Sequence, residues 1–119
     1  MIDIVTVVFR EELPVLKLQA ESINLYCNNI GLGKIIVIIN DENLDANEID
    51  TSWWGKFSGQ VIVMHRSAWK IDFVDNGWLT QQLLKLLGSA NSNNTWSMVL
   101  DAKTILMQEV DLGRIFDKQ

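Results

Sequence analysis

The residues best placed to do chemistry follow an apolar run. Trp96-Ser97-Met98-Val99-Leu100 stops at Asp101-Ala102-Lys103. A buried strand that ends this way delivers a carboxylate to its C-terminal edge, where open α/β sheets bind ligands. The spacing nearly spells Asp-x-Asp, a carboxylate pair that holds a divalent cation against a diphosphate. Here the second position is Lys103. An ammonium offers no oxygen to a hard cation, but it binds phosphate as a point charge.

Two more strand ends carry polar groups. The run Ile2 to Phe9 delivers Phe9 and Arg10 at its end, and Asn40 and Asp41 follow the run Lys34 to Ile39. In a parallel sheet these ends share one edge with Asp101 and Lys103, and the three pairs can line one pocket. Polar residues also end strands that bind nothing. A helix expected over 78–87 presents Trp78, Gln82 and Lys85 on one stripe, with Gln81 beside Lys85. That stripe can meet phosphate or sugar hydroxyls, or simply face water. His65, the one histidine, reads as a loop or strand-end residue with a structural or surface role, and Cys27 as a small core hydrophobe. Glu109 and Asp111 read as a solvated tail. One histidine and a core cysteine leave no Ser–His–Asp or Cys–His nucleophile. No glycine-rich loop follows the first strand, which disfavours dinucleotide and P-loop sites.

The elements that position these groups follow from hydropathy. Ile2 to Phe9 is nearly all apolar, as in a strand buried on both faces. Leu13, Leu16, Ala20, Ile23, Cys27 and Ile30 recur at helical spacing after Pro14, with Gly31 and Gly33 as the stop. Lys34 to Ile39 is a second strand, which makes a right-handed βαβ unit. Residues 40–59 are polar, with a short helix expected near Asn47 to Trp53. Gln60 to Met64 is a third strand, and 104–107 a short extended piece. Trp53 and Trp54 in a polar stretch call for packing under a loop or a place in a pocket. The pattern gives an α/β fold, a Rossmann-like three-layer sandwich with a mainly parallel sheet.

Composition sets outer bounds. At 119 residues and 48% apolar, the chain is expected to be one folded domain, not a disordered segment. A net charge of −5 argues against a general nucleic-acid binder. One cysteine fits a reducing compartment, and a cytoplasmic location is the expectation. No stretch reaches the ~20 apolar residues of a membrane span, and the start lacks the basic region of a signal peptide.

Gly77-Trp78-Leu79-Thr80-Gln81-Gln82-Leu83-Leu84-Lys85-Leu86, followed by Ser97-Met98-Val99-Leu100-Asp101-Ala102-Lys103-Thr104, resembles the core of the GT-A fold glycosyltransferases. In those families a "QQLLKL"-like helix precedes a strand ending in "LDADT". The opening Asp3 to Phe9 and the second strand ending at Asn40-Asp41 look like the nucleotide-binding half of that fold. The resemblance implies binding of a nucleotide sugar, most simply a UDP-sugar. It places Thr6, Phe9 and Arg10 beside base and ribose, and Asn40 and Asp41 near the same groups. Gln82 and Lys85 fall near the diphosphate or donor sugar, and Asp101 near the ribose or the metal. Such enzymes use Mn²⁺ or Mg²⁺ to neutralise the leaving diphosphate.

Two features depart from that pattern. Lys103 stands where the family has a metal-binding carboxylate, which implies either a metal-free site charged by the lysine or an inactive one. Only Gln108 to Gln119 follows the motif, so the acceptor half is nearly absent. A chain that leaves an apolar edge uncovered can bury it in a homodimer. The expectation is therefore a glycosyltransferase-like domain with weak or no transfer, in which Asp101 and Lys103 carry any chemistry. The alternatives are a non-catalytic nucleotide-binding module and a protein-interaction module.

Overall fold

The computed structural model describes residues 2–27, 31–68, 84–85 and 96–105. The element order is β1 (Ile2–Val8), α1 (Leu13–Tyr26), β2 (Leu32–Ile39), β3 (Val61–His65) and β4 (Trp96–Asp101), with short 3-10 turns between them. The strands form one sheet in the order β3-β2-β1-β4, and all three pairings are parallel. The fold class is α/β and Rossmann-like, as the alternation of apolar runs implied.

β1 is buried along its whole length because it is central and covered on both faces. Ile2, Ile4 and Val8 join Ile35, Val37 and Ile39 in one core layer, with Leu16, Ala20 and Ile23 of α1 packed in it. Val5, Val7, Ile36 and Ile38 form the opposite layer with Leu84, which lies in helical backbone. Alternation along each strand sends successive side chains to opposite layers. Leu16 and Ile23 are fully buried, and each contributes about 2 kcal/mol through loss of apolar surface.

α1 begins where the sequence places it, with Pro14 in its first turn, where the missing N–H has no intrahelical acceptor to lose. Its end falls earlier than the apolar spacing implied. Cys27 takes extended backbone, φ −87° and ψ 139°, so the helix stops at Tyr26 and not at the glycines. Gly33 already lies in β2, which starts before Lys34; Ile30 lies outside the described residues. Among the described residues only Gly55 has positive φ.

The polar stretch after β2 holds two 3-10 segments, Ala46–Glu48 and Thr51–Gln60, where a single short helix near 47–53 was expected. Trp54 and Phe57 of the second are buried in the α1 layer. Trp53 stacks on Trp54 with centroids 6.2 Å apart. The paired tryptophans therefore pack under the loop. β1 ends at Val8, one residue before the expected Phe9; β3 starts at Val61 and not at Gln60, and β3 and β4 each end one residue later than predicted, at His65 and Asp101. Thr104 and Ile105 are not strand, so the extended piece expected there does not form over these two residues.

Candidate functional site

The strand order decides where a ligand can sit. From β1 the chain moves outward through β2 to β3, and β4 then returns to the other side of β1. The strand order therefore reverses between β1 and β4, and the C-terminal ends of these two strands mark where the fold class places a ligand crevice. Such a switch point is the binding position of open α/β sheets. Just past β1 stand Phe9 and Arg10; on the other side Asp101 ends β4, with Ala102 and Lys103 just past it.

β4 continues to Asp101 because Asp101 pairs with Val7. The chain then turns: Thr104 N donates to Asp101 O at 2.8 Å, and Lys103 N donates to Asp101 Oδ1 at 3.1 Å. Ala102 is fully buried in the α1 layer, whereas Asp101 and Lys103 are exposed. The small central residue is thus an anchor, and the two charged neighbours stand in solvent at the rim. Asp101 shares the face of Val7 through its register, the layer that carries Leu84. Lys85, next to Leu84, is half-buried.

Gln19 holds this turn from below. Its Nε2 donates to Asp101 O at 2.7 Å and to Thr104 O at 3.0 Å. The side chain is 1% exposed. Sequence reasoning passed over it because glutamine is polar. Its position shows it nonetheless: Gln19 lies three residues after Leu16 and four before Ile23, in the middle of the apolar stripe.

The β1 and β2 ends form a second cluster. Arg10 N donates to Asp41 Oδ2 at 3.2 Å. The Arg10 guanidinium meets Glu48 through two bonds of 3.0 Å and also donates to the Asn43 carbonyl. Glu48 raises the Arg10 pKa still further, chiefly by that hydrogen bond. Asp41 is held below the ordinary carboxylate range, first by the bond from Asn43 N, with Arg10 adding to it. His65 Nε2 meets Asp41 O at 3.0 Å, and Ser67 N donates to Nδ1 at 3.1 Å. A carbonyl only accepts, so the ring proton sits on Nε2. Arg66 donates to Asn40 Oδ1 and to Glu42. His65 thus ties β3 to the β2 end, the structural one of the two roles left open by the sequence.

The sheet brings Phe9, Arg10, Asn40, Asp41, Asp101 and Lys103 to one edge. Thr6 sits apart. It is fully buried between Val37 and Leu100 in register, so it belongs to the floor beneath the edge. Gln82 and the rest of the expected 78–87 helix, apart from Leu84 and Lys85, lie outside the described residues, as do Glu109 and Asp111.

A hard divalent cation needs several oxygen ligands. Asp101 is the one carboxylate of the turn, and Lys103 supplies no oxygen. Among the described residues no group of three or more His, Cys, Asp or Glu converges on a point. These residues do not fit a cation held by the protein. Among the described residues, no helix is long and apolar enough to cross a membrane.

Comparison with protein-family models, curated proteins and solved structures finds no match for this chain.

Proposed function

We propose that the chain is a glycosyltransferase-like domain that binds a nucleotide sugar, a UDP-sugar, at the β1/β4 switch point, with weak or no transfer. One observation carries this reading: the altered Asp-x-Asp turn, Asp101-Ala102-Lys103, stands at the rim of the crevice where the strand order reverses. Lys103 takes the place of the cation and meets the diphosphate as a point charge. Asp101 accepts from ribose hydroxyls, and Phe9 offers its ring to the base. Arg10 and Asp41 shape the neighbouring wall; their charges are already engaged by Glu48 and Asn43. A single ammonium brings one positive charge to a leaving diphosphate where a divalent cation would bring two, which is why transfer is weak or absent.

Calorimetric titration of UDP and a UDP-sugar, with and without Mn²⁺, tests the reading on the natural chain and on Lys103→Asp. The expected result is binding by the natural chain that does not respond to metal, and binding by Lys103→Asp that needs it. Absence of heat in every combination overturns the donor-site reading.

A further inference from the structure

We infer that Gln19 is a positioning residue for the turn at 101–104, and that its side-chain amide sets the ligand affinity of that turn. The second clause rests on the donor-site reading; the first does not. A primary amide has two N–H donors in a fixed planar fork. Gln19 uses them on Asp101 O and Thr104 O, the carbonyls that bracket Ala102 and Lys103. Fixing both ends of so short a segment fixes the backbone from which Lys103 projects and the turn that caps the Asp101 carboxylate. The contacts span 82 and 85 residues of sequence, so the turn takes its position from α1 as well as from its own strand.

The choice of residue supports a specific role. Gln19 Oε1 is buried with no hydrogen-bond partner among the described residues, an arrangement that costs desolvation. A leucine would fill the stripe of α1 without that cost but would take the side-chain donor from both carbonyls, leaving Asp101 O with the Thr104 N–H alone. Ser22 Oγ donates to Gln19 O at 2.7 Å, which restrains the helix backbone beneath the fork.

The fold contains its own control. Gln60 Nε2 donates to Leu32 O at 3.1 Å and Gly33 O at 2.6 Å. It performs the same double donation at the start of β2, the opposite end of the sheet from the crevice. Gln60→Met removes an equivalent fork without touching the turn.

Amide hydrogen exchange and UDP titration on the natural chain, Gln19→Met, Gln19→Glu and Gln60→Met decide the matter. In Gln19→Met, exchange at Thr104 rises about tenfold, the loss of roughly one net hydrogen bond, while Val5 and Val7 keep their protection. UDP affinity falls by about the same factor. Gln60→Met leaves Thr104 exchange and UDP affinity at natural values. In Gln19→Glu an ionised carboxylate donates nothing, whereas the protonated acid regains one donor, so Thr104 protection returns in part on acidification. That pH response also carries the test if the methionine variant does not fold. Unchanged Thr104 exchange in Gln19→Met, an equal rise in Gln60→Met, or no recovery in acidified Gln19→Glu each overturns the proposal. A natural chain that gives no heat with UDP overturns the donor site and the claim on affinity; the exchange data still decide whether Gln19 positions the turn.

Discussion

Arg10, just past β1, and Glu48, in the 3-10 turn after β2, are joined by two parallel hydrogen bonds of 3.0 Å. Asp45 N donates to the same carboxylate at 2.9 Å. The wall of the crevice on the β2 side is therefore made by a paired guanidinium, and a phosphate must displace Glu48 to reach that charge. This is the physical reason for assigning diphosphate contact to Lys103 instead of Arg10.

Acid should weaken the fold through this wall. Glu48 is held below the ordinary carboxylate range by the Arg10 hydrogen bond, Asp41 by the bond from Asn43 N, and Asp50 by Ser52. Depressed folded-state values stabilise the protein above the ordinary range, and that contribution is lost as pH falls through them. Urea unfolding followed between about pH 5 and pH 2 should show a falling midpoint, with a shallower fall in Glu48→Gln. Superimposable acid limbs would remove Glu48 from the account.

Gly55 should not tolerate a side chain. Its φ is +55°, and a Cβ there would lie 2.5 Å from the Asn24 amide. Asn24 Oδ1 accepts from Lys56 N at 3.0 Å, so the amide cannot retreat without losing that bond. Gly55→Ala should destabilise by about 1–3 kcal/mol. Gly59 has nothing within 4 Å of such an atom, and Gly59→Ala should be neutral or stabilising by up to about 1 kcal/mol. Thermal melts of the pair measure the difference; equal losses would refute the steric explanation.

Thr6→Val separates floor from edge. Thr6 Oγ1 is buried with no hydrogen-bond partner among the described residues, and valine has nearly the same shape. Removing a buried unpaired hydroxyl should leave stability unchanged or raise it by about 1 kcal/mol. UDP affinity should not move, because Thr6 lies beneath the crevice. A loss of affinity at unchanged stability would restore Thr6 as a ligand contact.

Ala102 should resist enlargement. It is fully buried between two exposed charged residues. Ala102→Leu should cost about 1–3 kcal/mol by overpacking. It should also lower UDP affinity, since the turn can admit the larger side chain only by lifting away from α1. A denaturant midpoint equal to the natural chain's would show that the site has spare room.

The sheet was legible because its signals are collective. Ile2 to Val8 and Ile35 to Ile39 have no polar face, and only a parallel sheet covered on both sides accepts such strands. The helical stripe from Leu13 to Ile23 was equally plain. Boundaries were less so: the end of α1 depends on the backbone of Cys27, which no local preference dictates. The place of Asp101 and Lys103 at the exposed end of β4 was readable from the sharp end of an apolar run. The Arg10–Glu48 pair was not, since it joins residues 38 apart in sequence that only tertiary structure brings together. Gln19 stood in a place where the periodicity alone reported burial, and its polarity concealed it.

The β3-β2-β1-β4 order also has a temporal meaning. During synthesis β1, α1 and β2 emerge together and can pair at once. β1 must keep its other edge open until β4 arrives, because Ile2 pairs with Trp96 and Val7 with Asp101. Joining segments so distant in sequence meets the largest loop-closure entropy of the sheet, and contacts of this kind slow folding. Among the described strands β4 emerges last, and until then the nascent chain shows an unpaired edge of β1, a strand whose residues are apolar but for Asp3 and Thr6. That interval is when aggregation is most expected. A ligand seated between β1 and β4 would shorten the exposure by holding the late strand in place.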